Sequence, residues 1–305
     1  MDVSPNLSFV DIGALSAFLI SIGSYHQDLV FIPQSKLQDG TMLLYHYTDL
    51  SGLIGVVEKH DLWLTHSRYS NDDEEMTHGL SVVKGVMEAA VKDGTYDSTY
   101  LTELTRLTSE PEGVYICCFC EKDNLLSQWR GYGANGAGVS LQFAAKQFAD
   151  VAGPDNSHGL LRFWKVFYGQ PTQKQIVETA ISNYAPALNP GKTVAELARQ
   201  AADAIRFFIP TFKNSDFAEE NEWRLLFTPA PNATVKPHFR VGRSMLMPYY
   251  SLRELIGVGL PTLPIQKVTV GPGAHKRINA ASVKALLEQN GYPGIVEISD
   301  TPYRG

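Results

Sequence analysis

The sequence is poor in cysteine and has no long apolar run. Its 305 residues include three cysteines, Cys117, Cys118 and Cys120, and such an odd, tightly spaced set does not suggest a disulfide framework. No apolar run reaches the roughly 18 residues of a membrane span, and Met1–Pro5 lack the positive charge of a secretory signal. We therefore expect a protein of the reducing cytoplasm that has no membrane partner.

Positive charge is also scarce over the chain as a whole. Lysine and arginine number 26 against 32 acidic residues, a net charge of −6, whereas proteins that coat nucleic acid are usually basic. The last third of the chain is locally richer in positive charge, which forms either a binding surface or a solvated one. The basic residues there are His238, Arg240, Arg243, Lys276, Arg277 and Arg304. A hydrophobic content of 44% predicts a sizeable core.

Helical and strand-like segments are mixed without strict alternation, which favours the α+β class over a doubly wound sheet. Helical apolar spacing follows Asp49 and recurs in residues 76–107, 172–212 and 274–290. Short apolar runs predict strands at 43–48, 62–65, 114–120, 139–143, 163–168, 222–228, 268–270 and 295–298. We expect a helical lead-in over residues 1–40 and one α+β domain over 41–305, with helical insertions at about 76–108 and 172–212.

The segment Gly131–Gly136 matches the pattern G-x-G-x-x-G. A dinucleotide-binding fingerprint needs a strand before this pattern and a helix that begins inside it. Here the helix-like Leu125–Arg130 comes first and the strand-like Val139–Phe143 follows, so we expect a loop that feeds an antiparallel strand. The cysteines lie in a β-like run without C-x-x-C spacing, so we expect buried small side chains and no metal site.

The first site-like segment is Leu44-Tyr45-His46-Tyr47-Thr48. An imidazole between two phenols and a threonine forms a dense set of directional donors and acceptors, which suits a small polar ligand. A histidine in a strand is equally often a satisfied core residue, and this segment alone leaves the two interpretations open.

The second site-like segment is Glu219–Arg224. In an extended chain Glu220 and Glu222 share a face, where their repulsion raises one pKa and suits general-base work or stabilisation of a developing cation. The alternation with Trp223 and Leu225 predicts a half-buried strand whose charges line a cleft. A solvated edge with Glu–Arg pairing is the alternative.

A polar run from Ser67 to Glu75 follows the second predicted strand. Asn71 and Asp72 are typical caps for the next helix, because side-chain oxygens and negative charge are favourable at a helix N-terminus. Arg68 can hold a phosphate or a carboxylate.

Four motifs in order resemble those of an uncharacterised bacterial domain family over residues 43 to 228. That family has an H-Y-T strand, an N-D-P-x-E loop, a W-x-x-Y segment and a late E-x-E-[WY]-R strand. The counterparts here are His46-Tyr47-Thr48, Asn71-Asp72 with Glu75, Trp129 with Tyr132, and Glu220-x-Glu222-Trp223-Arg224. Asp73 stands where the family has proline.

The two outer motifs also resemble those of the histidine-bearing branch of ADP-ribosyltransferases. The resemblance implies a mixed or antiparallel split-sheet core, with NAD as substrate. It implies that His46, with Tyr47 and Thr48 beside it, holds the nicotinamide ribose. It also implies that Glu222 is catalytic and that Glu220 prepares the acceptor or assists the NAD ribose.

The rest of the implied NAD site is less specific. Tyr69, Tyr115 and Tyr132 are candidates for the middle motif that frames nicotinamide, and Asn71 and Trp129 lie within the family motifs. Arg68 or Arg130 has the side-chain type for pyrophosphate. Bacterial relatives with the H-Y-T opening include toxins of stress and phage defence, so the expected partners are a nucleic-acid or protein acceptor and an antitoxin or chaperone.

Two other functions remain open at this point. A metal-dependent nuclease would use Asp72, Glu220 and Glu222, although Arg224 stands where E-x-K nucleases need lysine. A non-catalytic ligand- or partner-binding protein on a transferase-like fold is the other alternative.

Overall fold

The computed structural model describes residues 42–69, 74–108, 113–152, 158–242, 244–257 and 262–302. The predicted helical lead-in, residues 1–40, lies outside these ranges. So do Asn71, Asp72 and the side chain of Glu75, which belong to the second family motif.

The described chain forms a mixed α+β structure. Strands β1 to β10 span Leu43–Thr48, Trp63–His66, Tyr115–Cys120, Val139–Ala144, Gly159–Lys165, Glu222–Pro229, His238–Val241, Leu246–Ser251, Lys267–Val270 and Val296–Ile298. Helices α1 to α9 span Leu50–Lys59, Glu74–Asp93, Ser98–Leu107, Leu126–Gly131, Lys146–Val151, Gln170–Asn183, Val194–Phe208, Leu252–Ile256 and Lys276–Gln289. The predicted α+β class is confirmed, and no described helix is both long and apolar enough to cross a bilayer.

One strand prediction needs correction, and two strands were missed. The strand predicted at 163–168 is β5, which ends at Lys165 because Phe167 leaves the sheet and forms a bridge with Phe212. The hairpin of β7 and β8 was not predicted at all, because its residues alternate poorly between polar and apolar.

The sheet is open and mostly antiparallel, and it divides along one edge of β3. The strand order is β10-β9-β4-β1-β3-β2-β8-β7, with β6 on the other edge of β3 and β5 beyond it. On the divided edge, β1 pairs with the end of β3 at Tyr45–Cys120, and β2 pairs with its start at Thr65–Ile116. Because β6 pairs along the whole opposite edge, β3 belongs to both parts of the divided sheet.

Helix α1 connects β1 to β2 across the division of the sheet. Asp49 starts the helix, because its carboxylate accepts a hydrogen bond of 2.6 Å from the Gly52 N–H, and His60 ends it with a positive φ of 51°. Leu53 and Val57 of α1 pack into the core of the sheet. One face of the division is therefore covered by a helix.

A second core lies among helices. Helices α2, α3, α6 and α7, from the two segments predicted as insertions, pack into one apolar cluster. Alanines along α7 allow close helix packing, and its N-terminus carries a capping box of Thr193 and Glu196. Each fully buried leucine or isoleucine contributes about 1.5–3 kcal/mol to such a core.

The glycine-rich segment is a tight loop between α4 and β4, as its flanking sequence predicts. A Cβ at Gly138 would lie 2.2 Å from the Thr48 carbonyl oxygen, and a Cβ at Gly271 would lie 2.4 Å from the Gly136 carbonyl oxygen. The glycines therefore allow three backbone segments to approach closely at the end of β1.

Candidate functional site

His46 lies where β1 separates from β3. Its Nδ1 is 2.9 Å from the main-chain carbonyl oxygen of Cys118. Because a carbonyl only accepts, Nδ1 carries the proton, and the neutral ring presents Nε2 as an acceptor. The ring thus donates a hydrogen bond to a carbonyl that strand pairing leaves free at the division. In the described part of the chain, its Nε2 has no hydrogen-bond partner.

The imidazole is held in its neutral form. Burial lowers its pKa, the hydrogen bond to Cys118 opposes this, and the positive charge of Arg240 lowers the pKa further. The Cys117 sulfur is 3.9 Å from Nδ1, and burial raises the pKa of that thiol to about 12, so Cys117 stays protonated. His46 is therefore a hydrogen-bonding group for a neutral partner such as a hydroxyl.

Arg240, on the edge strand β7, acts on His46 only through its charge. One guanidinium nitrogen donates a hydrogen bond of 3.1 Å to the Thr65 hydroxyl on β2, while Nε is shielded from solvent without a partner. The prediction that this arginine belongs to a basic surface patch needs correction, because the side chain turns inwards. Two other members of the predicted patch are paired: His238 contacts Glu254 at 2.8 Å, and Lys276 donates to the Ser299 carbonyl. Arg243 and Arg304 lie outside the described residues.

On the other edge of β3 lies a buried group of four ionised side chains, Lys213, Glu220, Glu222 and Arg224, which we call the charge cluster. The Lys213 ammonium is 2.8 Å from Glu220 and 3.0 Å from Glu222. Arg224 donates to both oxygens of Glu222, at 2.7 and 2.9 Å, and to the Pro210 carbonyl at 2.7 Å. Two positive and two negative charges thus neutralise one another away from water.

The carboxylate of Glu222 uses its full capacity as an acceptor. It receives two hydrogen bonds from Arg224, one from Lys213 and one from the Cys118 thiol. A carboxylate has about four lone-pair positions, so all are occupied. Burial alone would raise the pKa of Glu222, but the charges of Arg224 and Lys213 outweigh it and hold the pKa at about 2.

Three predictions about Glu219–Arg224 are wrong. The pKa of Glu222 is not raised by Glu220, because Lys213 lies between the two carboxylates. Glu220 does not share a strand face with Glu222, because it ends a 3₁₀ turn and Asn221 has a positive φ of 44°. Residues 222–227 are buried on both faces of the strand, because the 209–213 segment packs over the charges.

Several residues around the charge cluster were not found from the sequence. The Tyr168 hydroxyl accepts a hydrogen bond of 2.9 Å from the Glu222 N–H. Gln173, fully buried, donates through its amide to the carbonyls of Phe167 and Lys213, so its oxygen accepts from His78 at 3.0 Å. Neither residue belongs to a recognisable motif, and only their long-range contacts reveal the roles.

Strand register places His46 and Glu222 on opposite faces of the sheet. Tyr45, Cys120 and Glu222 are aligned across three strands, and Phe119 and Trp223 form the next row. The His46 ring packs 5.7 Å from Phe119, on the face opposite Glu222. Cys118 nevertheless contacts both residues, because its carbonyl binds His46 and its thiol binds Glu222.

The Glu222 face of β3 is open at its middle. Ile116 and Cys118 are partly exposed there, whereas the rest of the strand is buried. Tyr132 belongs to this region, because its phenol senses the charges of the cluster. Burial raises the pKa of the phenol, the positive charge of Lys213 opposes this, and the negative charge of Glu222 adds to it, although 37% of the side chain is exposed.

Two other predicted site residues serve the fold. The Tyr47 hydroxyl donates to the Lys122 carbonyl at 2.9 Å and accepts from the Leu125 N–H at 3.1 Å. Trp129 is fully buried, packs edge-on to Tyr47, and donates from its indole to Asn124 at 3.1 Å. Their polar atoms are therefore engaged within the protein, where they shape the loop after β3.

The remaining predicted residues lie apart from the charge cluster. Thr48 ends β1 and packs against Gly52. Arg68 and Arg130 are exposed, and Tyr69 packs edge-on to His66 at 5.6 Å. Asn71 lies outside the described residues.

In the described ranges, no group of three or more histidine, cysteine, aspartate or glutamate side chains is placed to hold a metal ion. The nuclease hypothesis also depends on Asp72, which lies outside those ranges. Its other two carboxylates, Glu220 and Glu222, are held by Lys213 and Arg224.

The fold and these contacts define an α+β protein with a divided, mostly antiparallel sheet and a buried charge cluster beside the division. A family model described as "Protein of unknown function (DUF2971)" matches residues 128–225. The match includes Trp129, Tyr132 and Glu220–Arg224. It begins at residue 128, so His46 lies outside it. No curated protein and no solved structure matches the chain.

Proposed function

We propose that the protein is an NAD-dependent ADP-ribosyltransferase. The observation that carries the proposal is the junction at Cys118, where a neutral histidine and an ionised glutamate from two different strands bind one residue of the strand between them. The division of the sheet beside this junction supports a split-sheet core of the transferase type.

The two side chains suit the chemistry. Breaking the nicotinamide–ribose bond develops positive charge on the sugar, and a fixed carboxylate stabilises that charge more in the transition state than in the ground state. Glu222 is ionised at any physiological pH. Because His46 and Glu222 project from opposite faces of the sheet, the proposal requires the ribose to lie in the division beside β3. There a neutral His46 would accept a hydrogen bond from a ribose hydroxyl without repelling the developing cation.

The neighbours of this pair complete the proposal. Glu220 is bound to Lys213 and acts electrostatically on Tyr132, so we propose that the acceptor approaches beside Tyr132. The acceptor is proposed to be nucleic acid or protein, with a toxin or phage-defence role and an antitoxin or chaperone as partner. These last points rest on the family resemblance alone.

A second function is favoured by one specific observation. All acceptor positions of Glu222 are engaged, so its carboxylate contacts a sugar only if Lys213, Cys118 or Arg224 releases an oxygen. A protein that binds a nucleotide without cleaving it needs no such release. The alternative is therefore a non-catalytic nucleotide-binding protein on the same fold.

One experiment separates the two functions. The purified protein is incubated with NAD labelled in the adenylate, with DNA, RNA and cell lysate as acceptors, and free nicotinamide is measured. The transferase proposal expects nicotinamide release and label transfer by the wild type, and loss of both in Glu222→Gln. Circular dichroism checks that this variant is folded.

The control variant is Glu254→Gln, which removes a surface carboxylate that pairs with His238 far from the junction. It is expected to behave as the wild type. Binding of NAD without nicotinamide release identifies the non-catalytic alternative. Turnover that survives Glu222→Gln in a folded variant contradicts the assignment of Glu222.

A further inference from the structure

Strand register places Arg240 on the same face of the sheet as Thr65. Tyr249 of β8 lies opposite Thr65 of β2, and Met247, two residues before Tyr249, lies opposite Arg240 of β7. Directly opposed residues share a face, and so do residues two apart along a strand. The hydrogen bond of 3.1 Å from the Arg240 guanidinium to the Thr65 hydroxyl agrees with this placement.

The same face carries Glu222. Thr65 lies opposite Ile116 of β3, and Cys118, two residues further along β3, donates from its thiol to the Glu222 carboxylate. Thr65, Ile116 and Cys118 are all partly exposed, and we call this line of three residues the open strip. Two residues of a strand span about 7 Å, which is comparable to the length of a ribose phosphate. The open strip therefore connects Arg240 at one end with Glu222 at the other.

Arg240 is a half-buried cation whose charge the described residues leave unbalanced. Its Nε is shielded from solvent and unpartnered, and the one hydrogen bond of the guanidinium within those residues goes to the neutral Thr65 hydroxyl. In the same part of the chain no carboxylate lies within ion-pair distance of it. A charge removed from water without a partner is destabilising, so such an arrangement persists where an anion completes it.

The carboxylate of Asp49 acts on Arg240 electrostatically but is committed to α1. It accepts hydrogen bonds from the Gly52 N–H at 2.6 Å and from the Ser51 hydroxyl at 2.7 Å. Because these bonds cap the helix, moving the carboxylate to the guanidinium would leave the first turn of α1 without its cap.

Arg240 and Thr65 present hydrogen-bond donors at their end of the open strip. Because Thr65 accepts from Arg240, its own hydroxyl hydrogen remains available to donate. Groups from β7 and β2 thus offer N–H and O–H donors at one place, which is the pattern that binds phosphate oxygens. The carboxylate of Glu222 at the other end suits the sugar on which positive charge develops.

We propose that the open strip binds a ribose phosphate, with the phosphate on Arg240 and Thr65 and the sugar over Ile116 towards the division of the sheet. A free sugar would leave the guanidinium unpaired, and a bare phosphate would leave the rest of the open strip uncovered. This inference rests on the proposed function, since it names the residues that hold the phosphate side of NAD.

The inference differs from what the family resemblance implies for pyrophosphate. Arg68 and Arg130, the residues of that expectation, are both exposed, where water and salt screen their charge. A half-buried guanidinium that is already oriented by Thr65 gains more from the same phosphate.

The test measures ligand binding by calorimetry and by thermal shift for wild type and variants. The ligands are ADP-ribose, ribose 5-phosphate, inorganic pyrophosphate and adenosine, which has no phosphate. The first variant is Arg240→Met, which keeps the length of the side chain and removes the charge. Its matched control is Arg253→Met, which removes another partly exposed arginine beside β8.

Arg240→Met is expected to weaken the binding of all three phosphorylated ligands about 10- to 100-fold, which corresponds to one charged hydrogen-bond pair. Its ligand-free melting temperature is expected to equal or exceed that of the wild type, because an uncompensated charge is removed. Arg253→Met is expected to bind as the wild type does. A purely structural Arg240 would give the opposite result, a lower melting temperature with unchanged affinity.

A second variant tests the open strip itself. Ile116→Phe adds a ring opposite Thr65 and leaves every charge in place. It is expected to lose ADP-ribose binding, with circular dichroism as the check that it is folded. The control Ile54→Phe adds the same ring on the exposed surface of α1 and is expected to bind as the wild type does.

Other outcomes decide the matter in either direction. Equal ADP-ribose affinity in wild type and Arg240→Met, or no binding of any phosphorylated ligand, overturns the inference. So does pyrophosphate binding that His46→Asn weakens as much as Arg240→Met does, because His46 lies on the other face of the sheet. Ribose phosphate binding that depends on Arg240, without any nicotinamide release from NAD, supports the open strip while contradicting the proposed transferase. Nicotinamide release with a KM for NAD that Arg240→Met leaves unchanged does the reverse.

Discussion

His46 and Glu222 project from opposite faces of the sheet, yet both bind Cys118, one through its main-chain carbonyl and the other through its thiol. The main-chain contact is insensitive to the side chain of residue 118, whereas the thiol contact depends on it. Cys118→Ala should therefore release one acceptor position of Glu222 and leave His46 in place. This asymmetry allows the two residues to be tested separately.

Replacing His46 with asparagine should separate ligand binding from strand structure. The asparagine amide still donates to the Cys118 carbonyl but has no acceptor in the position of Nε2. We expect a loss of ADP-ribose affinity of about tenfold, with stability changed by less than about 1 kcal/mol. Calorimetry and urea denaturation measure the two quantities. His46→Ala, which leaves the carbonyl unpaired, should cost about 1–3 kcal/mol of stability, and equal stability of the two variants would contradict the assigned hydrogen bond.

The same variant should change the response to pH. The folded pKa of His46 lies below its ordinary value of 6.5, so in the interval between them the unfolded chain binds more protons. The free energy of unfolding should decrease as the pH falls below about 6.5 and level off below the folded pKa. His46→Asn should reduce this slope, while His66, whose pKa is also lowered by burial, keeps part of it.

Glu222 should cause a second loss of folding stability at a more acidic pH. Its pKa falls from 4.5 to about 2 on folding, so its contribution is fully present above about pH 4.5 and is lost as the pH falls through about 2. That contribution is about 3 kcal/mol. Denaturation experiments between pH 2 and 5 should show this loss of stability in the wild type and not in Glu222→Gln. At neutral pH, Glu222→Gln should be less stable than the wild type by about 3–5 kcal/mol.

The glycine-rich loop offers a prediction with its own control. Gly138→Ala should destabilise the protein by at least about 1–3 kcal/mol, because the added Cβ would lie 2.2 Å from the Thr48 carbonyl oxygen. At Gly131, the first glycine of the same segment, an added Cβ meets nothing within 4 Å. Gly131→Ala should be neutral or slightly stabilising in the same thermal melts, whereas a dinucleotide fingerprint would require that glycine.

Gln173 should couple the helical core to the charge cluster. In Gln173→Met the carbonyls of Phe167 and Lys213 lose their donor, which should cost about 1–3 kcal/mol for each group left unsatisfied. Lys174→Met, on the exposed side of the same helix, is the matched control and should change stability by less than about 0.5 kcal/mol. Similar urea midpoints for the two variants would contradict the role of Gln173.

Local features of this protein were predictable from its sequence. The strand around His46, the strand that contains Glu222 and the loop of Gly131–Gly136 follow from short patterns of apolar residues and glycine, which act over a few residues. Lys213 was not predictable, because its partners Glu220 and Glu222 are chosen by how the helical core packs on the sheet. Arg240 was not predictable either, since its contact with Thr65 joins segments far apart in the chain.

The sharing of β3 by three strands has a consequence for synthesis of the chain. β3 leaves the ribosome well before β6, which covers its whole second edge. At about 5–20 residues per second, the strand Tyr115–Cys120 stays without that partner for roughly 5–20 seconds. An unpaired apolar strand is a template for intermolecular pairing. Slower translation through residues 121–222 should therefore lower the yield of soluble protein, and translational pausing after β6 should not.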